Sequence, residues 1–205
     1  MQIILLQITA VFVFAVGSLL LGRWLRRSMT KETAERASRY SHFMYWGLLV
    51  FPGLIGFFNP GLTHYDAILG VPSLPLRFLG EIIGALLVLM GGFLLIITNR
   101  SLARVGNGAA AFILTKRVVI ERAYKYTRNP MSLGYYVACL GVGFLAGSTS
   151  LVVGTLLVVI PAHIFNLKYF EELELELRYG QPYQEYKIGV PFLLPNLMAR
   201  RTAAK

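Results

Sequence analysis

The chain contains several apolar runs, each about as long as a bilayer's hydrocarbon core is thick, and that repetition excludes most ways of folding in water. Residues 3–22 are apolar apart from Gln7, Thr9 and Ser18, and further runs occupy 42–58, 76–98, 132–147 and 150–167. A helix rises about 1.5 Å per residue, so roughly 20 apolar residues cover a core of ~30 Å. With 56% hydrophobic residues, 15% charged residues and a mean hydropathy of +0.59, the chain lacks the polar surface that a soluble domain of 205 residues needs. Inside lipid every backbone N–H and C=O must find its partner within the protein, which selects helices. The expected fold is all-α: a polytopic protein of about five transmembrane helices, forming a single integral membrane domain over residues 1–205.

The distribution of charge supports this reading. Twenty Lys and Arg against ten Asp and Glu give a net charge of +10, but the basic residues fall between apolar runs instead of lining one solvated face. The bilayer's anionic headgroups, not nucleic acid, are the expected counter-surface. Six Lys or Arg lie between Arg23 and Arg39, only Arg77 near the second connection, seven between Arg100 and Arg128, none between the fourth and fifth runs, and six from Lys168 onward. The positive-inside rule then puts the N-terminus outside and the C-terminus in the cytoplasm. Five spans satisfy that alternation, whereas six would place a basic segment on the wrong side. The first run has no basic residues before it and no small-x-small cleavage site after it, so it reads as a retained helix. The expected location is a bacterial or archaeal inner membrane, or an ER-type membrane.

Local signals refine the picture. The polar stretch Ser28 to Ser41 reads as a short helix lying on the membrane, and Pro52, Gly53 and Gly56 as a kink in the second span. Asn59-Pro60-Gly61 opens a loop that runs to Pro75, and Glu81 follows Arg77 at the i,i+4 spacing of an ion pair. Only Gly147-Ser148-Thr149-Ser150 separates the fourth and fifth spans, which therefore form a tight antiparallel hairpin. Glu172 to Leu177 alternates like a strand, yet Glu and Leu are strong helix formers and Gly180 with Pro182 is a helix stop. A helix extending the fifth span is expected. Cys139 is the sole cysteine, and His42, His64 and His163 have no metal-ligand spacing, so no metal site is expected.

The hairpin brings Tyr124-x-x-x-Arg128-Asn129-Pro130-Met131-x-x-Gly134, before the fourth span, next to Glu171-Glu172 at the end of the fifth. With Val118-Val119, Tyr179-Gly180, Tyr183, Tyr186 and Val190-Pro191, these residues resemble the isoprenylcysteine carboxyl methyltransferase and phospholipid N-methyltransferase superfamily over about residues 100–195. The resemblance implies an S-adenosyl-L-methionine cofactor held by the last two spans and the segment 168–195. It also implies methyl transfer to a lipid-like acceptor, a phospholipid amine or a prenylcysteine-like carboxylate, entering from the bilayer. On this basis Tyr124, Arg128, Asn129, Pro130, Met131, Gly134, Glu171 and Glu172 would bind the cofactor, and Glu171 would be catalytic. Asn129-Pro130-Met131 is the form carried by the phosphatidylethanolamine branch, where other members have His before Pro, and it favours a phospholipid amine. Three positions depart from the pattern. Ser132 stands where an aromatic residue is usual, with Tyr135 and Tyr136 as the candidates to supply the ring. Arg122 stands where glycine is usual, and Asn166 and Lys168 lie near the place of an arginine that prenylcysteine enzymes carry.

The residue types suit this chemistry. S-adenosylmethionine presents a sulfonium, an ammonium and a carboxylate, which carboxylates, an arginine and aromatic faces complement; Glu171, Arg128 and Tyr124 are of those types. Methyl transfer is an in-line displacement promoted by alignment and a dry site. An amine acceptor must also lose a proton, for which a partly buried glutamate is a candidate base. Structural readings compete at each position. Arg128 could anchor on lipid phosphate, Asn129-Pro130 could simply start a helix, and Glu171 and Glu172 could pair with Lys168. Tyr179, Tyr183 and Tyr186 could form an interfacial belt or a cofactor lid. For His163 a helix-packing hydrogen bond is favoured over catalysis, and Glu174 and Glu176 are assigned to a solvated face. The rival functions are an NADPH-dependent sterol-type reductase, for which the chain is short, and a non-catalytic membrane scaffold.

Overall fold

The apolar runs fold as helices, several of whose ends carry recognisable stop and start residues. A computed structural model of the chain describes residues 2–59, 61–108 and 114–195, and no strand occurs among them. Helix α1 is Gln2–Arg27 and carries Arg26 and Arg27 in its last turn. Helix α2, Lys31–Phe58, opens at Thr30, whose hydroxyl accepts the Thr33 N–H at 3.1 Å. A short α3, Tyr65–Leu69, sits in what the sequence presents as a loop. Helix α4 is Arg77–Arg104, α5 is Pro130–Leu145, α6 is Thr149–Tyr179 and α7 is Gln181–Gly189. Pro130 occupies the first turn of α5, where its missing N–H costs nothing, and Gly180 separates α6 from α7 at φ 63°. Four helices, α1, α2, α4 and α6, are long and apolar enough to cross a membrane; α5 is apolar but only 16 residues long. The chain is an integral membrane protein.

The polar stretch before residue 42 does not form a separate surface helix. It is the first half of α2, because its small residues have protein to pack against: Ala34 and Ala37 close on Leu25 of α1 and Phe170 of α6 in a fully buried cluster. The expected kink at Pro52 takes the form of a widened π turn over Tyr45–Val50, in which the Phe51 N–H reaches back five residues to the Trp46 carbonyl. A second π turn, Thr155–Val159, precedes Pro161 in the same way. Proline lacks the N–H and crowds the carbonyl four residues back, and a wider turn relieves both problems. A third π turn, Leu167–Glu171, has no proline after it.

Helices α4 and α5 run antiparallel at backbone contact. A Cβ at Gly91 would lie 2.6 Å from both the Ala138 nitrogen and the Gly134 carbonyl oxygen, and one at Gly84 would lie 2.6 Å from the Leu145 nitrogen. Small residues at this spacing let two helices approach where lipid provides no hydrophobic drive. The α5–α6 hairpin turns at Gly147, φ 63°, and Asp66 of α3 closes it from outside. The Asp66 carboxylate accepts the Ser148 hydroxyl at 3.0 Å and the Thr149 and Ser150 amides at 3.0 and 2.8 Å, which satisfies the open end of α6.

Candidate active site

Tyr136 of α5 meets His163 of α6, and Gly143 meets Val152, so the hairpin is antiparallel and returns the end of α6 to the start of α5. A cavity of about 230 Å³ opens there, walled by α2, the segment 114–119, the ends of α5 and α6, and α7. Of the residues singled out in the sequence, Tyr124, Arg128, Asn129, Met131 and Glu171 line it. Pro130 is fully buried in the first turn of α5, and Gly134 is spent on the α4 seam, where a Cβ would meet the Gly91 carbonyl at 3.0 Å. Adjacent helical residues point about 100° apart, so while Glu171 lines the cavity, Glu172 is turned onto Arg128.

Arg128 is held within the protein. Its Nη2 donates to Glu172 Oε1 at 2.6 Å, its Nη1 donates to the Lys187 carbonyl at 2.6 Å, and its side chain is 9% exposed. Its Nε is buried with no hydrogen-bond partner among the described residues. Lys187 Nζ lies 3.2 Å from Glu172 and 2.7 Å from Glu176, and the hydrogen bond to Glu176 leads in raising its pKa. The Arg128 amide donates to the Pro191 carbonyl at 2.9 Å, and Asn129 Nδ2 donates to the Phe192 carbonyl at 2.9 Å. Arg128 and Asn129 thus clamp α7 and the following tail over the mouth of the cavity. Lys168 pairs with neither glutamate; its ammonium lies 4.8 Å from the centre of the Phe192 ring. Glu171 makes no hydrogen bond or ion pair with any described residue.

Glu174, assigned from sequence to a solvated face, is 1% exposed and forms a 2.7 Å ion pair with Arg178. Helix α2 covers this side of α6, which buries Glu174, while Glu176 stays 28% exposed on another face. Tyr183 and Tyr186 are buried cavity residues, not a lipid-facing belt, and the Tyr186 hydroxyl donates to the Tyr124 carbonyl at 2.7 Å. Burial above all, then the neighbouring Glu172 and Glu171, pushes the Tyr183 phenol above its usual range; burial does the same to Tyr124. Both rings stay neutral and offer aromatic faces.

The departures from the superfamily pattern have physical counterparts. Arg122 adopts φ 53°, a region where glycine is at ease and other residues are strained. Ser132 lines the cavity, as does Tyr135, while Tyr136 lies behind against His163. Sequence reasoning did not connect Ser41, His42 and Tyr45 of α2 with the site, yet all three line the cavity, as does Asn166, noted only as a departure from the superfamily pattern. The available signal was the placement of polar residues at helical spacing within or beside apolar runs, as at His163 and Asn166.

Residues 79–182 match the family model described as phospholipid methyltransferase. Methanethiol S-methyltransferase 2 of Bradyrhizobium diazoefficiens is 38% identical to the chain over 80 residues, which cover 38% of this chain and 29% of that protein. No solved structure matches. The family match takes in nearly all of α4, the whole of α5 and α6, and the connection carrying Tyr124 and Arg128. Covering half of the sequence and this entire hairpin, it establishes that the chain belongs to the phospholipid methyltransferase family.

Proposed function

We propose that the chain transfers a methyl group from S-adenosyl-L-methionine to a lipid-like acceptor at the cytoplasmic membrane interface. The observation that carries this reading is the cavity at the open end of the α5–α6 hairpin, where the end of α6 lies beside the start of α5. It holds one unpaired carboxyl group, Glu171, the guanidinium of Arg128 with an unpartnered Nε, and the ring faces of Tyr124 and Tyr183. A carboxyl for the ammonium, a guanidinium for the carboxylate and rings for the sulfonium fit this cofactor's charges. When bound, the cofactor supplies an electrophilic methyl group. Arg128, Asn129 and Met131 form one side of its site and Glu171 the other; Glu172 orients Arg128, and Pro130 and Gly134 fix the start of α5. The tail over Arg128 and Asn129 excludes water.

In this reading α5 counts as a fifth span, the N-terminus is outside and the C-terminus cytoplasmic, the whole chain is one membrane domain, and the membrane is an inner or ER-type one. A phospholipid amine is the acceptor favoured by Asn129-Pro130-Met131. A thiol is the second reading, supported by the match to a methanethiol methyltransferase. Calorimetry with S-adenosylhomocysteine on detergent-purified protein tests the cofactor assignment. The expected result is saturable binding that is abolished in Arg128→Ala and Glu171→Ala and absent with NADPH. Binding of NADPH alone would reverse the assignment in favour of a reductase, and binding of neither ligand by folded protein would leave a scaffold.

A further inference from the structure

Helix α6 carries polar side chains that the cofactor site does not use. His163 precedes Glu171 by eight residues, about 12 Å along the helix axis, toward the interior of the membrane. One ring nitrogen has a structural partner: Nδ1 lies 3.0 Å from the Tyr136 hydroxyl. The imidazole is boxed by rings, with centroids at 5.4 Å for Tyr45, 5.6 Å for Tyr136, 6.1 Å for Tyr135 and 6.3 Å for Phe14. The residue is only 6% exposed, yet it lines the cavity, and its Nε2 has no hydrogen-bond partner among the described residues. One turn further on, Asn166 also lines the cavity, its Oδ1 taken by Ser18 at 2.9 Å. A helix-packing role accounts for Nδ1 alone.

The charged groups of the cavity lie elsewhere. Arg128 and Arg178 are each committed to a buried ion pair, Arg117 donates its Nε to the Val105 carbonyl, and among the described residues no Lys or Arg stands among the rings around His163. An anionic acceptor group placed there would have no counter-charge, which a low-dielectric site penalises heavily. A neutral nucleophile bearing a proton fits, provided that something takes the proton.

We propose that His163 is that proton acceptor, and that the site methylates an N–H or S–H acceptor and not a carboxylate. This rests on the methyltransferase reading above. As the acceptor atom forms its bond to the methyl carbon, the carbon–sulfur bond of the donor breaks and its electron pair stays on sulfur. The positive charge passes to the acceptor, whose proton moves to Nε2 of His163. For Nε2 to accept, Nδ1 carries the hydrogen and donates it to the Tyr136 oxygen, which makes Tyr136 the positioning residue. The resulting imidazolium faces the π systems of Tyr45 and Tyr135, which favour a cation. The titratable groups around it are Tyr45 from α2, Tyr135, Tyr136 and nearby Cys139 from α5, and Glu171 further along α6; α1 contributes only Phe14.

The test uses the full chain in nanodiscs containing phosphatidylethanolamine, with hexanethiol and N-acetyl-farnesylcysteine as alternative acceptors. S-adenosylhomocysteine affinity is measured first, for wild type, His163→Gln and Tyr136→Phe. The expected result is affinity kept within about 2-fold in both variants, with kcat on the protic acceptor reduced roughly 100-fold or more in His163→Gln. Wild-type kcat should fall toward acid pH, as a base must be unprotonated to act, and His163→Gln should lose that limb. Tyr136→Phe should move the limb while leaving KM unchanged, and it carries the test if His163→Gln fails to fold. A His163→Gln enzyme with unchanged kcat, or a wild type that prefers the farnesylcysteine carboxylate, would overturn the assignment. Failure of wild type to bind S-adenosylhomocysteine would instead overturn the underlying methyltransferase reading, and the order of measurements separates the two.

Discussion

The Arg128–Glu172 pair makes a quantitative claim about what holds the tail over the cavity. Removing one partner of a buried ion pair costs about 3–5 kcal/mol, since the other charge is left unpaired in a poorly solvating place. Here the full cost does not apply to Arg128→Met, because Glu172 keeps Lys187 at 3.2 Å, and that lysine's side chain is 37% exposed and partly screened. A loss of about 2–3 kcal/mol is expected, including the charged hydrogen bond to the Lys187 carbonyl. Glu172→Gln strands Arg128 with only that carbonyl and should cost a similar amount. In the double variant neither charge is stranded, so the two losses should not add, and the coupling energy should be about 2 kcal/mol. Guanidinium unfolding in mixed micelles, followed by tryptophan fluorescence and by circular dichroism, measures all four corners of the cycle. A coupling below about 0.5 kcal/mol would mean that the pair is an incidental contact, and the account of the clamp would fail.

Other perturbations follow from the same geometry. Gly91→Val drives a Cβ into backbone atoms at 2.6 Å and should cost at least about 3 kcal/mol, whereas neighbouring Gly92→Val meets open space and should be close to neutral; comparative unfolding decides it. Arg122→Gly relieves about 1–2 kcal/mol of backbone strain at φ 53° and gives back part of that in unfolded-chain entropy, so a net gain of about 0.5–1 kcal/mol is expected in the same assay. At Asp66, burial raises the carboxyl pKa, but hydrogen bonds from Ser150, Ser148 and the Thr149 amide outweigh it and hold the group below its ordinary 3.8. Its stabilisation is therefore complete above that value and disappears as pH falls through the lower folded one. Asp66→Asn should be less stable than wild type at neutral pH, and the gap should close in acid.

Much of the architecture was legible because the bilayer restricts the choices: length and hydropathy located every long helix, and four small or polar residues between two runs announced the hairpin. The open end of the hairpin was legible for the same reason, as two antiparallel helices joined by so short a turn bring the stretch around Arg128 next to Glu171-Glu172. Packing decided what local pattern could not. Ser28 to Ser41 looks like a surface helix until Leu25 and Phe170 are there to receive Ala34 and Ala37. Glu174 looks solvated until α2 covers it and Arg178 neutralises it. The π turn at Leu167–Glu171 has no sequence mark at all, unlike those before Pro52 and Pro161, and Glu171 is its last residue.

One wall of the cavity lies outside the family match. The family match begins at residue 79, so the connection that supplies Tyr124 and Arg128 and the helix that supplies Glu171 fall within it, whereas Ser41, His42 and Tyr45 come from α2, before it. In the methyltransferase reading proposed above, substitutions at Ser41, His42 or Tyr45 would therefore reshape the cavity without touching the residues assigned there to the cofactor.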